Sequence, residues 1–441
     1  MRVGLLGCGT VGAALVELMG AESAAIESGA GIRLELASIA VNNLAQSRPA
    51  SVPAHLLTAD ALGVVTDPAV DVVVELIGGL EPAGTLVTRA LEAGKPVVTG
   101  NKELLATRGA ELAEVAARAG VDLLYEAAVG GAIPVVRPLR ESLAGERIHR
   151  VMGIVNGTTN YILTQMSDQG ATYAQALAEA QELGYAEKTN PAADVEGYDA
   201  AAKIAILAGL AFGGVVRVAD VYREGITGLR VSDIAAAQRL GYEVKLLAIA
   251  ERVGEGGGVG GHGSGGAAEQ IPLIGVRVHP AMVDRSHPLA SVRGPFNAVF
   301  IEGEAVGELM LYGRGAGGRP TAAAVLGDLI DAAHNLRSGG RGRTVLQPPA
   351  RVRPMDELRC SYYLSIDVVD RPGVLAAVAG VLGAHAVSVR SMEQIGLGSE
   401  ARLVFVTHSA READVVAALS GLRELDSVER VGGLLRLVEP R

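Results

Sequence analysis

The chain has 441 residues, 49% of them apolar, and a formal charge of −10 at neutral pH. That length predicts roughly two to four domains, each able to bury a core. The acidic balance excludes nucleic acid as the main partner, because phosphate binding needs a basic surface.

In chain order, short apolar runs at residues 3–6, 34–41, 71–76, 96–99 and 121–125 alternate with amphipathic stretches such as 82–93 and 102–119. Continuous apolar strands interleaved with helices predict an α/β, Rossmann-type doubly wound parallel sheet over residues 1–130. The opening MRVGLLGCG already reads as strand and turn, so no cleavable leader is expected. From 131 to 337 the pattern changes. Helical segments at 172–184 and 195–212 precede strand-like runs at 243–252, 271–279, 298–302 and 306–312, and a helix over 321–336 closes the set. Helices grouped with mostly antiparallel strands predict an α+β catalytic and dimerisation domain, its last helix packing back on the first domain. The glycine-rich stretch 253–266 reads as a flexible hairpin loop, since no helix follows it to make a phosphate cradle. The longest apolar run, 204–216, is too short and glycine-rich to span a bilayer. Residues 338–357 have linker composition. Residues 358–441 follow the order strand, helix, strand, strand, helix, strand, which predicts an autonomous ferredoxin-like βαββαβ unit. The two cysteines, Cys8 and Cys360, form no metal or disulfide pattern and indicate a reducing compartment. A soluble, cytoplasmic protein with no membrane partner is expected.

The sequence GLLGCGTVGAALVEL places Gly7, Gly9 and Gly12 in a G-x-G-x-x-G pattern between the first strand and a helix. Gly7 permits the turn, Gly9 lets backbone approach a pyrophosphate, and Gly12 allows close helix–strand packing. The helix N-terminus adds N–H groups and positive dipole. The second strand ends in AVNN (40–43), with neither a clear acid for a ribose diol nor a clear arginine for a 2′-phosphate. Glu35 lies mid-strand and Arg48 several residues later, so NAD and NADP both stay open. Cys8 sits where a helix N-terminus can lower a thiol pKa; the plainer reading is a small space-filler.

Only five lysines stand against thirty-four arginines. Guanidinium serves any surface role, whereas an ammonium group can also lose its proton when buried. Lys102 lies in VVTGNKELLA, and Lys203 follows Glu187, Asp194 and Asp199 in ELGYAEKTNPAADVEGYDAAAKIAILAGLAF. A helix beginning near Val195 puts Asp199 and Lys203 one turn apart on one face. Burial lowers a lysine pKa while the carboxylate raises it, a competition that tunes a proton-transfer group. An ordinary surface pair is the alternative.

These segments resemble homoserine dehydrogenases. Also similar are TGNKELLA (99–106), YEAAVGGAIPVV (125–136), GIVNGTTNYIL (153–163) and LYGRGAGGRPTAAAVLGD (311–328). The resemblance implies reversible hydride transfer between NAD(P)(H) and L-homoserine or L-aspartate 4-semialdehyde, in threonine, methionine and isoleucine biosynthesis. It implies Lys203 as catalytic acid/base and Lys102 as a second lysine beside nicotinamide and substrate. Glu187 and Asp199 would hold the homoserine amino group, with Asp194 in support. Gly7, Gly9, Thr10, Val11, Gly12 and Lys102 match cofactor-binding positions, and Gly184 and Gly315 match positions that close over the cofactor. A sodium or similar ion is held in that family largely by backbone oxygens, at positions matching Glu126, Val129, Gly131 and Ile133. The end of strand two departs from the family by lacking the basic residue common in NADP-using members.

Residues 360–438 resemble an ACT domain through DVVDRPGVLAAVAGVL and VSVRSMEQIG. The resemblance implies an amino-acid effector, threonine, lined by Asp370, Gly373 and Gln394, and at least a dimer, either homodimer or homotetramer. A purely dimerising module is the alternative there. For the whole chain the alternative is a non-catalytic amino-acid sensor on a Rossmann platform.

Overall fold

The computed structural model describes residues 1–254, 271–340, 346–396 and 401–439. The glycine-rich stretch expected as a hairpin loop lies outside them after its second residue. The first sheet is built from β1 (Arg2–Leu6), β2 (Glu35–Ala40), β3 (Leu57–Thr58), β4 (Val72–Glu75), β5 (Val97–Thr99) and β6 (Leu123–Leu124). All pairs are parallel, in the order β3-β2-β1-β4-β5-β6. Strands β4 and β5 are buried at every position. Their uninterrupted apolar runs are the mark of a sheet covered on both faces. The chain reverses its winding between β1 and β4, which opens a crevice beyond the carboxyl ends of those strands. The loops after β1, β4 and β5 all emerge there.

The helix Lys102–Ala119 has the bounds its pattern predicts. The Asn101 side chain caps it by accepting from the Leu104 N–H at 3.0 Å, and Gly120 ends it in the left-handed region. The long helix Gly318–Ser338 returns to the first domain. Its Ala322, Val325, Leu329 and Ala332 share one core with Leu15, Leu18 and Met19 of the helix Thr10–Ala21.

Further along come β7 (Ile148–Ile154), β8 (Tyr222–Arg223), β9 (Tyr242–Arg252), β10 (Leu273–Asp284), β11 (Phe296–Gly303) and β12 (Gly307–Arg314). They are followed by β13 (Arg351–Val352), β14 (Arg359–Val368), β15 (Val389–Ile395), β16 (Ala401–Thr407), β17 (Ala410–Arg411) and β18 (Val428–Val438). Among the described residues these form one sheet of twelve strands, whose main path is β12-β11-β7-β9-β10-β18-β14-β16-β15. Strand β7 and the helices Gly157–Gln169 and Val231–Arg239 are absent from the sequence reading. The helix expected to start near Val195 begins at Tyr198, because Gly197 takes φ +78° and breaks it from the single turn Ala192–Val195.

The C-terminal unit has the expected βαββαβ order, yet it does not stand apart. Strand β18 pairs with β14 inside the unit and runs parallel to β10 outside it, with Ala281 opposite Arg436 and Val283 opposite Val438. The segment expected as a linker also lies against the second domain. Gln347 Nε2 donates to the Gly209 carbonyl at 2.8 Å, and β13 pairs with β10. The free edge of β10 is therefore lined in succession by β13, β8 and β18. Among the described residues no helix is long and apolar enough to cross a membrane.

A buried ion network seals this seam. Arg436 on β18 is 1% exposed. It donates to Glu412, to Glu224 Oε2 at 2.8 Å and to the Tyr222 hydroxyl at 3.2 Å. Removing one partner strands a charge in a dry interior, which costs about 3–5 kcal/mol. Glu412→Ala is expected to lower the urea midpoint accordingly, and Glu412→Leu with Arg436→Met to recover most of the loss. An unchanged midpoint in the single variant refutes this.

Candidate active site

The glycine loop has the geometry its spacing predicts. Gly7 sits at φ +90°, and a Cβ there would fall 2.6 Å from the Leu76 carbonyl oxygen. A Cβ on Gly12 would fall 2.4 Å from the Gly7 oxygen, so these two glycines hold strand, turn and helix together. Gly9 differs: nothing lies within 4 Å of where its Cβ would be. No side chain caps the helix Thr10–Ala21 that starts there. Open space beside uncapped N–H groups of Thr10, Val11 and Gly12 suits an anionic pyrophosphate. Burial pushes the Cys8 thiol pKa up, and the nearby Arg48 offsets this only in part, which goes with a space-filling role and against an activated thiol.

Lys102 reaches the crevice from the first residue of the helix after β5, fixed by a chain of hydrogen bonds. Buried Glu75 accepts from the Ile77 and Gly78 N–H groups at 2.8 and 3.0 Å and from the Thr99 hydroxyl at 2.6 Å. Thr99 in turn accepts from the Asn101 N–H at 3.0 Å, and Asn101 Nδ2 donates to the Gly79 carbonyl at 2.7 Å. The next residue is Lys102, whose ammonium lies 2.8 Å from Asp199 Oδ1.

Asp199 comes from the second domain, in the first turn of the helix Tyr198–Phe212. Its other oxygen accepts from Lys203 Nζ at 2.7 Å, and Lys203 also donates to the Val155 carbonyl at 2.7 Å. The expected one-turn spacing is thus realised, with the Asp199 and Lys203 side chains 7% and 10% exposed. Burial alone would raise the Asp199 pKa, but the Lys203 and Lys102 charges outweigh it and hold the carboxyl below the ordinary range. For Lys102 burial works against the charge, and Asp199 wins, raising its pKa.

Asn156 binds the acidic pair together, a role the sequence reading missed. It caps the helix Gly157–Gln169, and its Nδ2 donates to Asp194 Oδ1 at 2.7 Å and Asp199 Oδ2 at 2.9 Å. The GIVNGTTNYIL motif contains it, but cap geometry shows its purpose only once β7 has placed it. Burial raises the Asp194 pKa. Glu187 is not brought in: it is exposed, and among the described residues its side chain joins neither lysine. Gly184 is likewise exposed, at φ +76°.

Gly131 and Gly315 meet directly, a Cβ on Gly131 falling 2.4 Å from the Gly315 oxygen. The Glu126 carboxylate accepts the N–H groups of Val135, Val136 and Arg137 at 2.6, 2.8 and 2.8 Å. Among the described residues no group of three or more His, Cys, Asp or Glu side chains is placed to hold a metal. In the C-terminal unit, Gln394 Nε2 donates to Asp370 Oδ1 at 3.3 Å, and Gly373 takes φ +92° at the turn.

Comparison with known proteins agrees with this geometry. Residues 7–126 match the family model for the homoserine dehydrogenase NAD-binding domain, 134–330 that for homoserine dehydrogenase, and 362–426 that for the ACT domain. A homoserine dehydrogenase of Corynebacterium glutamicum is 47% identical over 99% of this chain and 95% of its own. The crystal structure of one from Thiobacillus denitrificans, 38% identical, superposes with a TM-score of 0.91 over 100% of this chain and 98% of that one. A hyperthermophilic archaeal homoserine dehydrogenase in complex with NADPH, 27% identical, gives a TM-score of 0.62 over 76% of this chain and 98% of its own. Matched by these family models over most of its length and 47% identical to a homoserine dehydrogenase over 99% of its residues, the chain belongs to the homoserine dehydrogenase family.

Proposed function

We propose that this chain exchanges a hydride between a nicotinamide dinucleotide and L-homoserine or L-aspartate 4-semialdehyde, in either direction. The Asp199 carboxylate between Lys102 and Lys203, at the carboxyl edge of a dinucleotide-type sheet, carries the reading. Interconverting a carbinol and an aldehyde needs a group that exchanges the hydroxyl proton, and no nucleophile. The bound dinucleotide supplies the hydride donor or acceptor. Gly7, Gly9, Thr10, Val11 and Gly12 would hold its pyrophosphate, with Gly184 and Gly315 closing over it.

The chain's own residues do the rest. Lys203, buried and oriented by Asp199 and Val155, takes the hydroxyl proton in oxidation and returns it in reduction. Lys102, kept charged by Asp199, stabilises negative charge developing on the substrate oxygen. Asp194 and Asn156 hold Asp199 in place. Glu187 is assigned to the homoserine amino group together with Asp199, which requires its exposed segment to fold inward. A sodium ion on the backbone oxygens of Glu126, Val129, Gly131 and Ile133 would brace the loop that Gly131 shares with Gly315. The ACT domain is assigned to threonine at Asp370, Gly373 and Gln394, in a homodimer or homotetramer in the cytoplasm. The rival reading, an amino-acid sensor without catalysis, gains no support from relatives that carry an enzyme's name.

Lys203→Ala is expected to lower kcat by roughly 10²–10⁴-fold in homoserine-dependent reduction of NAD⁺ or NADP⁺. Cofactor affinity, read by fluorescence titration of NADPH, stays near that of the parent chain. Retained turnover sinks the assignment. Asp199→Asn removes the charge that raises the Lys102 pKa, so the alkaline limb of the aldehyde-reduction profile should move to lower pH; a stationary limb contradicts it. If threonine inhibits, Gln394→Ala should shift the inhibition curve to higher threonine without changing uninhibited activity. An insensitive parent chain would leave the ACT domain a dimerising module.

A further inference from the structure

We infer that Asn297 is a further positioning residue of this site: its buried carboxamide seats the Gly315–Gly318 segment when a nicotinamide dinucleotide fills the crevice. The inference rests on the dehydrogenase reading and adds to it a residue that couples the cofactor to the second domain. Asn297 is the second residue of β11 and is 1% exposed. Among the described residues neither its Nδ2 nor its Oδ1 has a hydrogen-bond partner. An unpaired polar group in a dry interior is costly, and this amide has two. Such groups are rare in folded chains, and each calls for a reason.

Its surroundings supply that reason. Ala298 and Phe300 point into one core, while Val299 and Ile301 point into the core shared with the helices Gly157–Gln169 and Tyr198–Phe212. Alternation along the strand puts Asn297 on the second of these faces. There its Oδ1 lies 3.5 Å from where a Cβ on Gly157 would be, next to the Asn156 that holds Asp194 and Asp199. On its other side the amide occupies the place of a side chain at position 315, since a Cβ on Gly315 would fall on the amide itself. Three residues on, a Cβ on Gly318 would lie 3.1 Å from the Thr10 carbonyl oxygen in the glycine loop. Four residues, three of them glycine, thus run from Asn297 to the dinucleotide loop. Ala316 and Gly317, in the middle, are exposed, and glycine backbone shifts at little steric cost. The segment rests against the amide without bonding it, held instead on Gly131. A dinucleotide in the crevice gives the segment a second surface to lie on. A small shift then brings a backbone N–H to Oδ1 and a carbonyl to Nδ2. Those two bonds belong to the dinucleotide-bound arrangement alone, so they count toward affinity.

The test uses the full chain with Asn297→Ala and Asn297→Ser. Fluorescence titration with NADPH and NADH should show affinity falling roughly five- to a hundredfold in the alanine variant, the range for two neutral hydrogen bonds. Serine, which keeps one hydroxyl, should restore part of the loss. Affinity for 5′-AMP, which carries only the adenosine end, should stay unchanged. Without dinucleotide the amide is unpaired, so the alanine variant should then melt no lower than the parent chain. The rise in melting temperature on adding NADPH should shrink. A lower melting temperature with unchanged dinucleotide affinity would make Asn297 a plain structural residue and overturn the proposal. Equal losses for NADPH and 5′-AMP would overturn it too. If the parent chain binds a dinucleotide but does not oxidise homoserine, the dehydrogenase reading fails, while the titrations still decide the role of Asn297. If it binds neither dinucleotide, both fall.

Discussion

A single carboxylate, Asp199, accepts two ammonium groups that arrive from different domains, and much of the fold can be read as what keeps it there. A carboxylate buried this deeply would lose more in desolvation than one partner returns unless its geometry were closely held. Each contact therefore has its own support. Lys102 depends on the helix cap at Asn101 and on the Thr99–Glu75 hydrogen bonds beneath it. Lys203 depends on one turn of helix, and Asn156 on its own cap. The helix Gly318–Ser338 then ties the second domain to the first, so that Lys102 and Asp199 meet at a fixed separation.

The parts that were legible in the sequence are those decided within a few residues. The glycine loop, the helix Lys102–Ala119 and the Asp199–Lys203 spacing follow from local sterics and period, and each stands as expected. Long-range pairing set the rest. Strand β7 carries His149 and Arg150 near its start and runs into a motif dense with polar residues, and its antiparallel partners β9 and β11 make it a strand. Arg48, several residues beyond the end of β2 in sequence, comes back to the Asn43 carbonyl through the turn at Asn43. Glu187, paired with Asp199 at the substrate amino group by the family resemblance, lies on the surface here.

Small residues make these approaches possible. With no tryptophan and 58 glycines, the chain brings backbone onto backbone where a bulkier one would interpose side chains. Gly7 on Leu76, Gly12 on Gly7 and Gly131 on Gly315 are contacts that no Cβ would permit. The alanine-rich helix Tyr198–Phe212 is buried on most of its surface for the same reason, and that is how a lysine in its second turn comes to be so well shielded.

The edge of β10 has a consequence for how this protein can be divided. Three stretches remote in sequence, β13, β8 and β18, cover successive parts of one strand. Strand β8 also meets the start of the helix that carries Asp199, since the Arg223 guanidinium lies 3.4 Å from the centre of the Tyr198 ring. A polypeptide released early, or nicked after the second domain, would lose two of these three stretches. It would keep β8 on β10 but open the edge on either side of it, at Leu273–Ile274 and at Ala281–Val283, a ready template for recruiting strands from other molecules. The C-terminal module thus also closes an edge of the second domain's sheet, and removing it would expose that edge.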